Sequence, residues 1–317
     1  MPTIGLIGLG NAGRPIGERI LARGYTLTVY DLNPATVDNM VSRGARRAAS
    51  ARQAVSDITL TVLPSSIEVR RAVFGEAGAF EAVQPGVTLI DLSGTDPECA
   101  RELQSRLEEK RAAFLGGTIH AGGAPAIVIP QGQFTIAVGG KREIIDGCTS
   151  FLKELAQTII CLPQAWMPKA FKIAVIMYAT ANNIATAEIS SWLTAQGAEP
   201  KLFLKLLRTT GSHASAARLE EFMKRNNNNG GALSNSYKDI RQALEVAAAL
   251  QIPMPLLSMA NQIQEMGRAS GLTRLNSPAA MGKLYELITG TDLSAATMSA
   301  DKKGPDGREP RVIYLSD

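Results

Sequence analysis

The chain has 317 residues, of which 45% are hydrophobic and 20% are charged, and its formal net charge is +4. This length allows two domains with separate cores, and the composition is typical of a soluble globular protein. The small charge comes in no long block, which argues against a nucleic-acid partner but suits an anionic small molecule.

The first half of the chain alternates short apolar runs with segments of helical spacing, a pattern that indicates parallel β-α-β units. The predicted strands are Thr3–Ile7, Leu27–Tyr30, Thr59–Leu63, Val87–Asp91, Ala113–Leu115 and Phe134–Val138. The predicted helices among them are Pro15–Ala22, Ala35–Ser42, Glu68–Ala72 and Pro97–Lys110. Because crossovers between parallel strands are right-handed, the predicted fold is α/β, with a doubly wound Rossmann-type parallel sheet and helices on both faces.

From about Pro168 onward the pattern is helical and rich in alanine, and it predicts no strand. Lys169–Ala195 has no internal proline or glycine, which predicts a long central helix of about 40 Å that is buried and crosses between domains. Further helices are predicted at Lys201–Leu207, Ala214–Lys224, Tyr237–Leu250 and Pro255–Ala269. The asparagine-rich segment Arg225–Gly231 is predicted to be a loop.

A glycine-rich turn follows the first predicted strand. It comprises Gly8, Leu9, Gly10, Asn11, Ala12 and Gly13, which match GxGxxG. Gly8 permits the tight turn, Gly10 lets the backbone approach a pyrophosphate, and Gly13 lets helix and strand pack closely. The following helix presents free N–H groups and its positive dipole end to phosphates, so this context predicts a dinucleotide site.

Asp31 ends the second predicted strand, where a carboxylate can accept hydrogen bonds from an adenosine ribose. It would repel a 2′-phosphate, and the next residues, Leu32, Asn33 and Pro34, include no arginine to hold one. NAD is therefore the expected cofactor, with NADP less favoured. Asp31 could instead cap the next helix, a role that Asn33 could also fill.

These elements predict a dinucleotide-binding Rossmann domain at 1–164 and an all-helical domain at 165–294, joined by the long helix. Residues 295–317 are predicted to be a mobile tail, because their polar composition cannot build a core. The sequence has no signal peptide and no apolar run of about 18 residues, so we expect a cytoplasmic protein with no membrane partner.

Cysteine and histidine are scarce in this chain. The cysteines are Cys99, Cys148 and Cys161, and the histidines are His120 and His213. No spacing among them suits zinc, so we expect no bound metal, and the odd cysteine number favours a reducing compartment. We interpret each cysteine as a small buried apolar residue.

The chain resembles the 3-hydroxyisobutyrate dehydrogenase family, the β-hydroxyacid dehydrogenases, from residue 3 to about 290. The motifs that carry the resemblance are residues 5–15, Leu63-Pro64, 91–97, Lys172 with 186–188, Lys238-Asp239 and 252–256. The resemblance implies an NAD(P)-dependent oxidoreductase that transfers hydride between nicotinamide and a β-hydroxy acid. It also implies that the helical domain at 165–294 binds the substrate and joins the copies of a homodimer or homotetramer, and it places Leu63, Pro64, Gly94 and Lys238 at the cofactor.

By the same resemblance, Lys172 is the general acid/base that exchanges a proton with the substrate hydroxyl. A free lysine titrates near pH ~10.4, so this role requires a lowered pKa. Apolar Val175 and Ile176 and the like charge of Lys169 would each lower the pKa of Lys172. The alternative is that Lys172 is a solvated position on a long helix.

Departures from the family pattern cluster where the substrate would bind. In place of Ser-Gly-Gly, the segment after the fifth strand brings His120, Ala121 and Gly122. Val175 stands where the family has asparagine, and Gly94 where it has threonine. This less polar, bulkier site predicts a substrate that is larger, partly aromatic or a secondary alcohol.

Three further residues near this site leave alternatives open. His120 could bind an anion when protonated, donate one hydrogen bond when neutral, or have no chemical role. His213 is a second substrate-binding candidate, with a plain loop residue as the alternative. Trp166 could line the nicotinamide pocket or simply pack in the hinge.

Two other functions compete with a hydroxyacid dehydrogenase. One is an NADPH-dependent imine reductase, since such enzymes share the fold and the long helix. The other is a non-catalytic dinucleotide-binding scaffold, which the lost asparagines would suit. Lys172 argues against both, because imine reductases usually lack this lysine and a scaffold does not need it.

Overall fold

The chain divides into two compact units, Met1–Ala174 and Val175–Asp317. The structure is a computed structural model that describes residues 1–121, 125–224 and 231–293. Gly122, most of the predicted loop at Arg225–Gly231 and the predicted tail at 295–317 lie outside these residues. The division between the units falls within the long helix, and the boundary predicted between 164 and 165 stays a prediction.

An eight-stranded sheet lies at the centre of the first unit. Its strands are β1 (Ile4–Ile7), β2 (Leu27–Tyr30), β3 (Arg46–Arg47), β4 (Ile58–Thr61), β5 (Thr88–Asp91), β6 (Ala113–His120), β7 (Thr135–Gly139) and β8 (Thr158–Leu162). Their order is β3-β2-β1-β4-β5-β6-β7-β8, and every neighbouring pair is parallel except β6 and β7. The expected Rossmann-type α/β fold is confirmed, with one antiparallel pair that the sequence analysis did not predict.

Helices cover both faces of this sheet. They are α1 (Gly13–Ala22), α2 (Pro34–Val41), α3 (Ser66–Phe74), α4 (Ala79–Ala82), α5 (Pro97–Glu109), α6 (Pro125–Val128) and α7 (Arg142–Leu155), with a short 3₁₀ helix at Arg52–Ala54. Leu89 and Ile90 are neighbours in β5 but belong to two different apolar cores. Successive side chains of a strand point to opposite faces, so each core fills one side of the sheet.

The second unit is helical throughout its described residues, apart from one isolated β-bridge between Ala232 and Asn276. The helices are α8 (Met167–Ala195), which begins in the first unit, α9 (Pro200–Thr209), α10 (His213–Lys224), α11 (Leu233–Ala249), α12 (Pro255–Ala269) and α13 (Ser277–Thr289). Their core includes Ile184 of α8, Leu219 of α10 and Met281 of α13. The predicted central helix is present, and α12 has the predicted bounds.

Part of α8 differs from the expectation of a buried helix. Ile184 and Ala187 are buried, but Tyr178 and Trp192 are 66% and 63% exposed. That expectation is therefore wrong for one side of the helix within a single chain. A helix that packs against neighbours on one side exposes the other side to solvent.

Two facing glycines let the chain cross close to the sheet just before α8. Gly116 of β6 pairs with Gly139 of β7. A Cβ atom on Gly116 would lie 1.9 Å from the carbonyl oxygen of Ala165, and one on Gly139 would lie 2.1 Å from that of Gln164. No side chain fits at either position, so the two glycines place the beginning of α8 against the sheet.

Several local expectations are corrected by the structure. The strand predicted to end at Leu115 continues to His120, because its pairing with β7 extends it. Neither β8 nor α7 nor α13 was predicted, and β3 is only two exposed arginines with no apolar pattern.

Cys99 and Cys148 are buried, but Cys161 is exposed because it lies on β8, at the edge of the sheet. The expectation of a buried residue is therefore wrong for Cys161.

Among the described residues, no helix has both the length and the apolar character needed to span a bilayer.

Candidate functional site

The glycine-rich turn joins β1 to α1 through two very close backbone contacts. Gly8 has φ of 99°, which favours glycine, and a Cβ atom on it would lie 2.4 Å from the carbonyl oxygen of Val62. A Cβ atom on Gly13 would lie 2.0 Å from the carbonyl oxygen of Gly8. Gly10 is exposed, and a Cβ atom there would meet no atom within 4 Å. The turn is therefore tightly packed at Gly8 and Gly13 and open at Gly10.

The first turn of α1 offers an uncompensated positive end. Its N-cap residue, Ala12, makes no side-chain capping hydrogen bond, and no acidic residue lies in the first turn. Asn11 is exposed beside it, whereas Leu9 is buried. Free N–H groups at a helix N-terminus attract anions. With the open space at Gly10, these features fit the pyrophosphate of a dinucleotide.

Asp31 lies directly beside this turn. Its Oδ2 accepts a hydrogen bond from the backbone N–H of Leu9 at 2.6 Å, and its Oδ1 accepts one from Asn33 at 2.8 Å. Asn33 caps α2 through a hydrogen bond from Ala35. Asn33 therefore fills the capping role, and Asp31 holds its carboxylate at the glycine turn.

The segments that follow β4 and β5 are tied to each other. The backbone N–H of Gly94 donates to the carbonyl oxygen of Leu63 at 3.1 Å, and that of Leu63 donates to Ser93 Oγ at 2.9 Å. A Cβ atom on Gly94 would lie 3.1 Å from the carbonyl oxygen of Pro64. The predicted cofactor residues Leu63, Pro64 and Gly94 thus lie together at the carboxyl ends of neighbouring parallel strands. Ligands bind at this edge of doubly wound sheets.

The ammonium group of Lys169, in the first turn of α8, is completely buried beside β5 and β6. Its Nζ forms an ion pair with Asp91, whose Oδ2 lies 2.8 Å away. It also donates to three carbonyl oxygens, those of Asp91 at 2.9 Å, Ser93 at 3.0 Å and Gly117 at 2.6 Å. These acceptors engage all three ammonium protons, so Lys169 is ill suited to exchange a proton with a substrate.

Asp91 is equally buried, and its remaining acceptor sites are also used. Its Oδ1 accepts from Thr61 Oγ1 at 2.8 Å and from the backbone N–H of Ser93 at 3.0 Å, and its Oδ2 accepts from Thr95 Oγ1 at 2.9 Å. Burial by itself raises the pKa of Asp91, but the charge of Lys169 and these hydrogen bonds outweigh it and hold the pKa below its usual range. The pair therefore connects β4, β5, β6 and α8.

This ion pair changes one expectation about electrostatics. The sequence analysis assigned Lys169 a like charge that lowers the pKa of Lys172. The structure places the carboxylate of Asp91 2.8 Å from that charge. A close counter-charge cancels most of the electric field of a charged group at a distance. The electrostatic effect of Lys169 on Lys172 is therefore much smaller than expected.

Lys172 follows Lys169 by one helical turn and brings its ammonium to the ends of the strands. Its Nζ lies 4.0 Å from the position that a Cβ atom on Gly94 would occupy. His120, at the end of β6, is close enough that the charge of Lys172 affects its ionisation. Lys172, Gly94 and His120 thus lie together in the first unit.

The imidazole of His120 is held in its neutral form. Burial lowers the pKa of His120, and the positive charge of Lys172 lowers it further. Of the two chemical roles considered for it, anion binding by an imidazolium is therefore disfavoured at neutral pH. A neutral imidazole that donates or accepts one hydrogen bond remains.

The other predicted site residues are Ala121 in the first unit and three residues of the second unit. Ala121 follows β6 and is half-buried. Val175, His213 and Lys238 belong to the second unit, where Val175 and His213 are exposed. Lys238 lies on α11 with its Nζ 3.6 Å from Asp239.

Arg101 of α5 stacks over the Trp166 ring at 4.7 Å, and Trp166 packs against the core beneath α3 and α5. This contact favours the packing role for Trp166.

The pairing of Lys169 with Asp91 was not predicted from the sequence. Its only signal was a lysine inside an apolar stretch, three residues before another lysine.

Within residues 1–121, 125–224 and 231–293, no three histidine, cysteine, aspartate or glutamate side chains lie close enough together to hold a metal ion.

Two family models match the chain. One, described as the NAD binding domain of 6-phosphogluconate dehydrogenase, matches residues 3–163. The other, described as NAD-binding of NADP-dependent 3-hydroxyisobutyrate dehydrogenase, matches residues 168–284. Together they span nearly all the described residues.

Individual proteins show the same relationship. The chain is 29% identical to 2-(hydroxymethyl)glutarate dehydrogenase of Eubacterium barkeri, covering 92% of this chain and 97% of that protein. It is 26% identical to 3-sulfolactaldehyde reductase of Escherichia coli (strain K12), covering 86% and 93%. The solved structure of Mycobacterium tuberculosis 3-hydroxyisobutyrate dehydrogenase with L-serine has a TM-score of 0.78 at 24% identity, over 90% of this chain and 99% of that one. This last similarity shows a common fold.

Replacement of Lys169 is expected to destabilise the protein strongly. Lys169→Met keeps the length of the side chain but leaves Asp91 buried without its counter-charge, which costs about 3–5 kcal/mol of the free energy of unfolding. Urea unfolding at pH 7 measures this loss. Because the pKa of Asp91 is lowered in the fold, the pair stabilises the protein above about pH 4, and this stabilisation is lost as the pH falls through the lowered pKa.

Lys172→Met is the matched control, since it removes the neighbouring lysine of the same helix. It should change the free energy of unfolding by less than Lys169→Met. Equal destabilisation by the two variants would contradict the structural role assigned to Lys169.

Proposed function

Because the chain belongs to the 3-hydroxyisobutyrate dehydrogenase family of NAD(P)-dependent oxidoreductases that act on CH–OH groups, we propose that it transfers hydride between NAD and a β-hydroxy acid or a related bulkier alcohol. The observation that carries the proposal is the position of Lys172. Its Nζ lies beside Gly94 at the carboxyl ends of the strands, where the glycine turn would bring a dinucleotide. We assign Lys172 as the general acid/base.

The proposed oxidation moves one hydride and one proton. The carbinol C–H bond breaks, and its electron pair leaves with the hydrogen as hydride, for which bound NAD supplies the acceptor. The hydroxyl proton moves to the neutral amine of Lys172, so the products are a carbonyl compound and an ammonium group. In the reverse direction, the ammonium of Lys172 protonates the developing alkoxide.

The substrate side of the site is assigned by the same argument. Neutral His120 offers one hydrogen bond to the substrate near Lys172, and the backbone at Ala121 and Gly122 follows it. By resemblance to the family, Val175 and His213 are further proposed substrate-binding residues. The relatives act on 2-(hydroxymethyl)glutarate and 3-sulfolactaldehyde, which are anions that carry a hydroxyl or carbonyl group. An anionic hydroxy acid or its carbonyl counterpart is therefore the proposed substrate class.

For the cofactor, we propose NAD rather than NADP. The carboxylate of Asp31 lies at the glycine turn through its hydrogen bond with Leu9, where it can accept hydrogen bonds from ribose hydroxyls and repel a 2′-phosphate. The glycine turn, Leu63, Pro64 and Gly94 line the same edge, and by resemblance to the family Lys238 is a further proposed cofactor-binding residue.

We further propose that the helical unit joins two or more copies of the chain. On α8, large apolar side chains are exposed at Tyr178, Ile189 and Trp192, which follow heptad spacing. On α12, Leu256, Met259 and Met266 are also exposed. Exposed apolar stripes on a globular unit mark interaction surfaces, and heptad spacing suits packing against a second helix. A second copy of this chain is the proposed occupant.

Removal of the Lys172 amine is expected to abolish most of the turnover. Lys172→Ala should lower kcat/KM by roughly 10²–10⁴-fold, the usual contribution of a positioned acid/base. NAD reduction is followed at 340 nm across a panel of β-hydroxy acids, aryl alcohols and amino alcohols. Lys201→Ala, an exposed lysine of α9, is the control and should leave activity unchanged.

Other results in this assay would contradict the assignment. Full activity in Lys172→Ala would exclude Lys172 as the general acid/base. NAD binding without turnover of any substrate would favour the scaffold, and turnover of a cyclic imine with NADPH would favour an imine reductase.

Asp31→Asn is expected to weaken the preference for NAD. Asparagine keeps an acceptor for Leu9 but loses the negative charge, which should cost about 1.5 kcal/mol, or roughly tenfold, in the ratio of NAD to NADP affinity. Calorimetric titration with each cofactor measures this ratio. Asp38→Asn, an exposed carboxylate of α2, is the control. A wild-type protein that binds NADP more tightly than NAD would reject the assignment.

A charge within the apolar stripe of α8 is expected to weaken the assembly. Ile189→Glu should shift the wild-type oligomer towards smaller species, because burying a carboxylate in an apolar interface is unfavourable. Light scattering coupled to size-exclusion chromatography measures the mass. Ile160→Glu on β8 is matched to it, since both isoleucines are 47% exposed, and it should leave the mass unchanged. A monomeric wild-type protein would refute the proposal.

A further inference from the structure

We propose that Gly94 determines substrate specificity by leaving room beside Lys172 for a carbon substituent on the carbinol carbon. This inference rests on the proposed function. It narrows the substrate class to ketones and secondary alcohols in preference to aldehydes and primary alcohols.

A side chain at position 94 would extend towards the ammonium of Lys172. A Cβ atom built on Gly94 lies 4.0 Å from Lys172 Nζ, which is already van der Waals contact. Any γ atom would therefore compete with a ligand for the space around Nζ. Gly94 is partly accessible, whereas its neighbours Ser93 and Thr95 are 1% and 5% exposed, so of these three residues only Gly94 is reached by solvent.

The backbone itself does not require glycine at this position. Gly94 is absent from the residues with positive φ, so an ordinary side chain is compatible with its conformation. The tightest contact would be 3.1 Å to the carbonyl oxygen of Pro64, which a shift of a few tenths of an ångström relieves. Space, rather than backbone conformation, is what this glycine provides.

The segment around Gly94 is held by hydrogen bonds on both sides. Asp91 accepts from the Ser93 backbone N–H and from Thr95 Oγ1, and Lys169 donates to the Ser93 carbonyl oxygen. Gly94 itself donates to Leu63. A side chain introduced at position 94 must therefore enter the space beside Lys172.

The chemistry indicates which part of a substrate fills this space. The hydroxyl oxygen must lie about 3 Å from Lys172 Nζ for proton transfer. Its carbon then lies one bond further away, and a substituent on that carbon is about as far from Nζ as the missing Cβ atom. The carbinol carbon of a primary alcohol has one carbon substituent, whereas that of a secondary alcohol has two, so only the secondary alcohol needs room for a second group. The absent side chain thus favours a secondary alcohol or the corresponding ketone.

The first test measures the space without any turnover. Lys172 is alkylated with formaldehyde or with benzaldehyde in the presence of cyanoborohydride, and its peptide is quantified by mass spectrometry. In Gly94→Thr, the ratio of benzaldehyde to formaldehyde labelling at Lys172 should fall at least about tenfold, the usual scale for steric exclusion from a fitted pocket. Gly147→Ala adds a methyl group on α7 where no atom lies within 4 Å, and it should leave the ratio unchanged.

The second test uses two substrates that differ by one methyl group on the carbinol carbon. These are 3-hydroxypropionate, a primary alcohol, and 3-hydroxybutyrate, a secondary alcohol. The wild-type protein should have the higher kcat/KM with 3-hydroxybutyrate. Gly94→Thr should lower the ratio of secondary to primary kcat/KM by at least about tenfold, and Gly94→Ala should fall between. Thermal melts verify folding, and Gly94→Ala replaces Gly94→Thr if the threonine variant does not fold.

The results separate this inference from the proposed function. If the wild-type protein turns over neither substrate nor any other alcohol, the proposed function fails, and the labelling ratio still decides whether Gly94 opens space at Lys172. If it turns over both and Gly94→Thr lowers both equally, the specificity role of Gly94 is refuted. An unchanged labelling ratio in Gly94→Thr refutes it as well.

Discussion

Lys169 and Asp91 meet where β5 ends and the long helix begins, and the arrangement of the strand-end site depends on their contact. Two fully buried charges are costly to remove from water unless each is paired and hydrogen-bonded. Here the ammonium is engaged by one carboxylate oxygen and three carbonyl oxygens, and the carboxylate by two hydroxyls and a backbone N–H. Satisfying both charges requires β4, β5, β6 and α8 to keep fixed positions relative to one another. Because Lys172 lies one turn after Lys169 on α8, the same contacts fix its position at the strand ends.

The same pair separates two lysines that look alike in the sequence. Lys169 and Lys172 lie one turn apart on α8, yet Lys169 has its three protons engaged and its charge matched by Asp91. Lys172 instead brings its charge to Gly94 and His120, where burial and that charge hold the His120 imidazole neutral. A structural cation and a candidate proton-transfer group can therefore occupy successive turns without the structural charge dominating the other.

Close backbone contacts complete the arrangement, and each depends on an absent side chain. Gly116 and Gly139 let residues 164 and 165 lie against the sheet, while Gly8 and Gly13 let the first strand turn into α1. Gly94 differs from these, since its backbone would accept a side chain and only the space beside Lys172 would be lost. This distinction makes Gly94 a candidate for specificity rather than for folding.

The sequence by itself determined the Rossmann-type fold, the helical second half and the glycine turn with Asp31, because local hydrophobic periodicity and short motifs encode these features. It could not reveal the antiparallel pairing of β6 with β7, the extension of β6 to His120 or the edge strand β8, since pairing between distant segments decides them. The same limit applies to the site. Lys172 was identified by its resemblance to a family, but the neutral state of His120, the burial of Lys169 against Asp91 and the space at Gly94 arise from contacts between residues far apart in sequence. Only the tertiary structure decided them, because charge matching and close packing depend on distances in space, which spacing along the chain does not specify.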